Sequence, residues 1–416
     1  MTSNSSPHTL LIHQAFVLPT EAGGTRHYEL ARQLVRDGHR FTVVASSLSY
    51  LSGREVAKRR RLISEEELDG VRVLRAYTHP SLHRSFLWRI ISTLSFAVSS
   101  VPAALRAGPT DLVMGTTPPM FQAASAWLVA WLRRCPFLLE VRDLWPEFAI
   151  GLGVLRNRLL IALARWLERF LYARATHIVV NSPAYRDYLL AKGIAGEKIS
   201  LIANGVNPQM FDPTADGCDL RVELGLQDRF VVTYAGALGL ANDLDTLLRA
   251  ASRLREESAV QFLLVGDGKE RSSLEARAGD LGLRNVTFVG GQPKNRMPAF
   301  LAASQACVAV LKNIPMFRTT YPNKVFDYMA AGRPTILAID GVIRDVIEAS
   351  HGGIFVPPGD DEALAEAVRL LMRDRQQAEL MGAEARAYVM KHFDRSRQAE
   401  QFAALVSRLA DQVPTS

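Results

Sequence analysis

Cysteine is scarce. The 416 residues hold three, Cys135, Cys218 and Cys307, far apart. An odd, scattered set builds no disulfide framework and no CxxC metal pattern, so a reduced, cytosolic setting is expected. Long apolar runs are also missing. The longest, IISTLSFAVSSVPAAL between Arg89 and Arg106, is interrupted by Ser92, Thr93, Ser95, Ser99, Ser100 and Pro102. A membrane-spanning helix needs about 20 mostly apolar residues, which this run does not reach. The N-terminus, MTSNSSPHTLLIHQAF, lacks the charged and then apolar regions of a signal peptide. The nine histidines are scattered, and no metal-ligand cluster is visible. GxGxxG, GxSxG and Walker motifs are absent too. These absences argue against a disulfide-stapled secreted domain, an integral membrane protein and a dehydrogenase with a standard dinucleotide fingerprint.

What is present is ordinary globular composition, 48% hydrophobic and 22% charged, at a length that suits two or three domains. The net charge of +7 is unevenly spread. Residues 1–200 hold 25 Lys+Arg against 15 Asp+Glu, and residues 201–416 hold 24 against 27. The basic half is expected to meet an anionic partner. Nucleic acid does not fit, because no basic stripe interleaved with aromatics appears. An anionic membrane surface fits better. The apolar run carries Arg84, Trp88, Arg89 and Arg106 at its ends, and the stretch Trp127–Arg134 pairs Trp127 and Trp131 with Arg133 and Arg134. Each reads either as an interfacial helix or as a helix packed inside the fold.

Short continuous apolar runs alternate with amphipathic stretches. Strands are expected at 9–16, 40–46, 71–77, 111–117, 136–143, 176–182 and 198–204. Helices are expected at 25–36, 157–173 and 184–191. This texture marks a parallel sheet covered on both faces, a doubly wound α/β domain. Residues 204–228 are rich in Pro, Gly, Asn and Asp and read as an interdomain linker. A second alternation follows, with strands in RFVVTYAG, VQFLLVGDG, NVTFVGG, ACVAVL, PTILAID and GGIFVPP and helices near 243–255, 269–281, 296–303, 322–331, 343–349 and 361–373. The tail, 376–411, is helical. In open α/β sheets ligands sit beyond the carboxyl ends of the strands, so a phosphorylated ligand in a cleft between the two domains is the default.

Five segments carry candidate chemistry. Gly23 and Gly24 precede the first long helix and suit either a close ligand approach or a tight turn capped by Thr25. Arg142, Asp143 and Glu147, in VRDLWPE, follow a strand directly. Arg142 suits a phosphate or carboxylate and the acids suit a hydroxyl, or the pair Arg142–Asp143 is structural. Gly236 and Asn242 lie in YAGALGLAN after a strand, before a helix. Gly266 and Gly291 lie in two further strand-end loops. Arg318, Thr319, Asn323, Lys324 and Asp327 lie in the segment FRTTYPNKVFDYMAAGRP. Lys324 and Asp327 are three apart near a helix start, where a lysine neutralises phosphate and a carboxylate accepts two ribose hydroxyls. The alternative is an i,i+3 surface salt bridge.

Several segments together resemble family-4 retaining glycosyltransferases of the GT-B fold. They are GGTRHYELARQLVRDGHRFTVV, HIVVNSPAYRDYLLAKGIAGEKISLIANGVNPQMFDP, VTYAGALG, FLLVGDG, VTFVGG and GGIFVPPGDDEALAEAVRLLMRD, in that order. VRDLWPE and PNKVFDYMAAGRP are similar to a subgroup that adds amino sugars in O-antigen, capsule or exopolysaccharide synthesis. The resemblance implies two Rossmann-like domains facing a central cleft. Residues 1–205 would bind the acceptor, 206–394 the nucleotide sugar, and a helix near 395–416 would return to the first domain. It implies a UDP-sugar donor of hexose or N-acetylhexosamine type, and a polyprenyl-linked or other glycan acceptor. It also implies retained anomeric configuration, no cofactor and no metal, and work at the inner face of the cell membrane. Many members carry two glutamates separated by seven residues; here Thr319 and Asp327 stand at those positions. The usual Arg and Lys after the first strand of the second domain are replaced by GALGLAND, which assigns the phosphate charge to Lys324 with help from Arg318. Arg142 and Asp143 stand in for the family's first-domain histidine. The competing readings are a nucleotide-sugar 2-epimerase of the same fold and a non-catalytic transferase-like partner subunit.

Overall fold

A computed structural model describes residues 6–21, 23–48, 63–80, 86–212, 214–215 and 217–411. The chain divides into two units. One comprises Met1–Leu18, Thr25–Ala203 and Ser396–Ser416; the other comprises Pro19–Gly24 and Asn204–Arg395.

The first unit runs β1 (His8–Ile12), α1 (Arg26–Arg36), β2 (Arg40–Ser46), β3 (Ile63–Leu68), β4 (Val71–Ala76), α2 (Phe86–Leu105), β5 (Leu112–Thr117), α3 (Met120–Arg133), β6 (Phe137–Val141), α4 (Glu147–Gly151), α5 (Arg158–Arg174), β7 (His177–Val180), α6 (Pro183–Ala191) and β8 (Ile199–Leu201). Its strands lie in the order β3-β4-β2-β1-β5-β6-β7-β8. All pairs are parallel except β3 with β4. The interior strands bury nearly every residue, as expected of a sheet covered on both faces. β3 escaped the sequence reading because ISEEEL has no apolar run. It is an exposed edge strand held by Arg72–Glu65 and Arg75–Glu66, and charge on an edge deters pairing with other chains.

The second unit runs α7 (Cys218–Glu223), β9 (Phe230–Ala235), α8 (Leu244–Arg253), β10 (Val260–Val265), α9 (Arg271–Asp280), β11 (Val286–Gly290), α10 (Met297–Ala302), β12 (Ala306–Val310), α11 (Asn323–Ala330), β13 (Thr335–Ala338), α12 (Val342–Ala349), β14 (Gly353–Phe355), α13 (Asp361–Arg373) and α14 (Arg375–His392). Its six strands, all parallel, lie in the order β11-β10-β9-β12-β13-β14.

Two expectations need correction. Residues 204–228 are not a plain linker. Asn204 donates to the Tyr321 carbonyl (2.7 Å), Val206 bridges to Asp394, and Phe211 is buried. The short α7 is pinned by Arg221, which donates to four acceptors including the carbonyls of Ala303 and Arg229. Tertiary hydrogen bonds organise a stretch that has no periodicity of its own. The helical tail is also broken at Phe393 and Asp394, where Phe393 packs on Phe326 with ring centroids 4.6 Å apart. Beyond the break, α15 (Arg395–Ala410) buries Ala399, Phe402, Leu405, Val406 and Leu409 in the first unit's core with Leu11, Leu34 and Val43.

Candidate functional site

In each sheet the strand order reverses once. The reversal lies between β1 and β5 in the first unit and between β9 and β12 in the second. The loops at the carboxyl ends beside such a point are the ligand-binding positions of doubly wound sheets.

At the first sheet's carboxyl edge, the Arg142 guanidinium and the Asp143 carboxylate make no hydrogen bond or ion pair among the described residues. The structural Arg–Asp pair is therefore not formed. Burial pushes the Asp143 carboxyl up to about 6, with Arg142 pulling against it. The main chain holds the turn: Arg142 N–H donates to Thr117 O (3.2 Å) and Trp145 N–H to Asp143 O (2.9 Å). Glu147 behaves differently. It begins α4 and receives two hydrogen bonds from Arg165 on α5, at 2.9 and 3.1 Å.

The same edge holds a buried network that the sequence reading missed. Glu140, fully buried at the end of β6, accepts from Arg26 Nε (2.9 Å) and pairs with His27 Nε2 (2.5 Å). The other two Arg26 nitrogens donate to the carbonyls of Ala203 and Ile202 (2.8 Å each). Burial works to raise the Glu140 carboxyl, but His27 and Arg26 outweigh it and hold it well below the usual carboxylate range. His13, directly after β1, stacks obliquely on His27 with centroids 4.3 Å apart. Burial pushes both imidazoles down, against the pull of Glu140. Arg26 and His27 are consecutive on α1, and Glu140 lies more than a hundred residues away. The only sequence-level signal was a charged residue in an otherwise apolar strand, LLEV.

The second sheet's edge is built from three glycine loops hydrogen-bonded in series. Gly236 N–H donates to Val265 O and Gly266 N–H to Gly290 O (2.9 Å each). A Cβ at Gly266 would stand 1.8 Å from the Gly236 carbonyl oxygen, so only glycine permits this approach. Gly291 lies beside the Asp267 side chain. Over the first loop lies Lys324. Its ammonium donates to Tyr234 Oη (2.8 Å) and Asn242 Oδ1 (2.9 Å), and sits 4.2 Å from the Tyr234 ring centroid. Burial pushes it down to about 7.

Asp327, one turn along α11, pairs instead with Lys294 at 2.5 Å. The i,i+3 salt bridge between Lys324 and Asp327 is thus not formed. Pro322 caps α11. Asn323 leaves a buried Oδ1 without a partner, and Thr319 donates to Met316 O (2.6 Å). Arg318 is 56% exposed and lies 3.4 Å from Asp340, so its charge is partly answered within the protein. It lines a shallow depression with Lys312, Phe317 and Asp340. Lys312, two residues past β12, is a second cation at the switch point that the motif reading overlooked; its ammonium has no partner among the described residues. Gly23 and Gly24 belong to a segment grouped with this unit. Glu21 O and Pro19 O accept the N–H groups of Lys294 and Asn295, and the space around Gly24 is open.

The profile described as "Glycosyl transferase 4-like domain" matches residues 22–205, and that described as "Glycosyl transferases group 1" matches residues 229–374. The chain belongs to the group 1 glycosyl transferases. Among relatives of this glycosyltransferase is WcaI of Escherichia coli, named for colanic acid biosynthesis. It is 26% identical over 387 residues, which is 90% of this chain and 93% of WcaI. Similar solved structures include the sucrose-phosphate synthase of Thermosynechococcus elongatus (TM-score 0.79, 21% identity, 98% of this chain and 100% of that one). Another is HepE of Anabaena with UDP and glucose (TM-score 0.72, 19% identity, 96% and 99%). At such identities the likeness establishes the fold, GT-B with two Rossmann-like domains.

No helix of the glycosyltransferase, among the described residues, is long and apolar enough to cross a membrane. Its exposed apolar side chains lie mostly on α2 and α3, the two helices the sequence singles out, and also on α5. On α5, Leu159, Leu160, Leu163 and Trp166 are exposed, among Arg158, Arg165, Arg169 and Arg174. On α3, Trp131 and Leu132 are exposed beside Arg133 and Arg134, while Trp127 packs on Phe170 of α5. α2 is divided: it exposes Ile91, Leu94 and Val98, yet binds α3 through the Ser125 hydroxyl and the Ala97 carbonyl (2.8 Å). Arg84 lies outside the described residues, as does the Arg89 side chain.

Proposed function

We propose that this glycosyltransferase moves a sugar of the hexose or N-acetylhexosamine type from a UDP-sugar to a lipid-linked or polysaccharide acceptor, with retention and without a metal, in cell-envelope polysaccharide synthesis. The observation that carries the reading is Lys324. A lysine held between Tyr234 and Asn242, beside a glycine loop and at the start of α11, suits a diphosphate. Its ammonium and the helix N-terminus meet the negative charge that develops on the leaving nucleoside diphosphate. As the anomeric C–O bond breaks, the acceptor hydroxyl attacks the same face, and its proton passes to the departing phosphate oxygen. Asp327 binds the ribose hydroxyls once they displace Lys294. Arg142 and Asp143, with unengaged head groups, contact the transferred or accepting sugar. Glycines 236, 266 and 291 bring main-chain groups to the nucleotide, and Asn323, Thr319, Arg318, Gly23 and Gly24 complete the donor side.

Cell-envelope synthesis is supported by the likeness to WcaI. A peripheral position at the inner face of the membrane is supported by the exposed leucines and Trp166 of α5 between arginines. The test is a thermal-shift panel of nucleoside diphosphates, followed by turnover of UDP-sugars with a polyprenyl-diphosphate-linked glycan, with and without EDTA. UDP stabilisation and EDTA-resistant transfer with retained configuration are expected. Stabilisation by no nucleotide overturns the reading and favours a non-catalytic partner subunit. A donor epimerised at C2 without transfer favours the epimerase.

A further inference from the structure

The helix that carries Lys324 and Asp327 does not hold its own start. Pro322 stands at the N-cap of α11 and has no side chain to cap it. Residues 320–322 belong to no helix or strand. Thr320 and Pro322 are extended, and the proline disposes Tyr321 to be extended too. This leader is held from outside. The Tyr321 carbonyl takes a hydrogen bond from the side-chain amide of Asn204 at 2.7 Å, across 117 residues of chain. The Tyr321 ring meets Phe393 edge-on, with centroids 5.8 Å apart, and Phe326 of α11 at 5.6 Å.

Asn204 and Phe393 belong to one construction. The main segment of the second unit begins at Asn204 and ends at Arg395. Its two ends pair with each other. Val206 N–H donates to Phe393 O (3.1 Å), Arg395 N–H to Val206 O (2.8 Å), and the Arg395 guanidinium to Gly205 O. The paired ends present one amide and one ring to Tyr321, from residues only 5% and 9% exposed. In so dry a place water does not readily replace a lost donor. An aspartate at 204 would set one acceptor against another. The amide's target lies three residues before Lys324. A shift of the leader therefore moves the first turn of α11, and with it the ammonium that rests on Tyr234 and Asn242. Misplacement of about 1 Å in such a group is costly to catalysis.

We propose that Asn204 is a positioning residue for the donor site: through Tyr321 it fixes the first turn of α11, and a ligand on that turn in return steadies the paired ends at 204–206 and 393–395. The role toward the donor rests on the glycosyl-transfer reading; the placing of α11 does not. The return effect follows from linkage, since a coupling free energy acts equally in both directions. Hydrogen-exchange mass spectrometry on the full chain, with and without saturating UDP, tests both parts. Without ligand, Asn204→Ala should speed exchange over 321–328 about tenfold, the size of one buried hydrogen bond, with β10 exchanging as in the wild type. Phe393→Leu keeps the amide and should speed it about threefold, which preserves the test if Asn204→Ala does not fold. UDP should slow exchange at 235–242 in wild type and Asn204→Ala alike, and at 204–207 and 392–396 in the wild type alone, with affinity about tenfold lower in the variant. Unchanged exchange at 321–328 in both variants overturns the positioning role, and so does equal acceleration in β10, which marks a general loss of stability. UDP protection at 235–242 without protection at the paired ends overturns the coupling and leaves the donor reading standing. UDP protection nowhere refutes the donor reading, and exchange at 321–328 still decides the placing of α11.

Discussion

The two sheets end in similar glycine-rich and polar loops, yet treat their polar groups in opposite ways. On the second sheet most charged groups, Lys312 excepted, already have a partner. Lys324 lies on Tyr234 and Asn242, Asp327 on Lys294, and Arg318 near Asp340. On the first sheet Arg142 and Asp143 stand unengaged, and His13, Thr117 and Asn181 keep unpaired buried atoms. The first arrangement holds a charged site in a defined shape before the ligand arrives, at the expense of bonds that binding must exchange. The second leaves bonds to be made. A charged, invariant ligand such as a diphosphate favours preorganisation, because a buried lone charge is costly.

The comparison breaks most directly at Lys324. Lys324→Ala combined with Asp327→Ala should reduce transfer at least a thousandfold, from loss of leaving-group stabilisation of about 4 kcal/mol. Turnover of UDP-sugar measures it, and an active double mutant would refute the donor assignment.

Next in size is the pH dependence of UDP binding. Burial pushes Lys324 down to about 7. The ammonium is charged below that value and neutral above it, and the diphosphate prefers the charged form. UDP affinity should therefore fall about tenfold per pH unit above 7, an effect Lys324→Met abolishes. Stability of the free protein moves the other way. The unfolded lysine keeps its proton to about 10.4 while the folded one has lost it, so stability rises from pH 7 towards 10. Calorimetry and urea unfolding across that range check both signs.

Lys294→Met sharpens the exchange argument. If Lys294 and a ribose compete for Asp327, removing the lysine should change UDP affinity by about threefold to tenfold, and Asp327→Asn should not add to it fully. A simple sum of the two effects would show that they act apart. On the basic unit, Leu163→Glu with Trp166→Glu should cut binding to vesicles of 30% anionic lipid about tenfold, which co-sedimentation reads. Unchanged binding would send the membrane reading back to α2 and α3. The smallest effect is expected at Glu147. Its bond to Arg165 is half exposed, so Glu147→Gln should cost less than about 1 kcal/mol and leave transfer within twofold. A loss of a hundredfold would place Glu147 with Asp143 after all.

Much of the strand and helix pattern was legible. The runs TLLIH, RFTVVAS, FLLEV, HIVV and VQFLLV are mostly apolar, and buried parallel strands need little else. The Rossmann style of both halves followed from their alternation with amphipathic helices. β3 was not legible, because an exposed edge strand has no reason to be apolar. The fold of residues 204–228 was not, because its bonds reach Tyr321, Ala303 and Asp394. At the site, motif reading located Lys324, Asp327, Arg142 and Asp143 on strand-end loops. It could not assign their partners, since Tyr234, Asn242 and Lys294 lie 30 to 90 residues away.

The sequence by itself determined the architecture and the chemical inventory: two α/β halves, one basic, with a lysine and an aspartate at a helix start. Tertiary structure alone decided how each charge is used. Glu147 went to Arg165 and Asp143 was left unengaged. Lys324 was buried far enough to titrate near neutrality. Arg26, His27 and Glu140 were joined beneath an unpaired His13. Periodicity is a property of neighbours along the chain and so is written in it. The energy of a charge depends on what surrounds it in space, and those neighbours are chosen only when the sheets form.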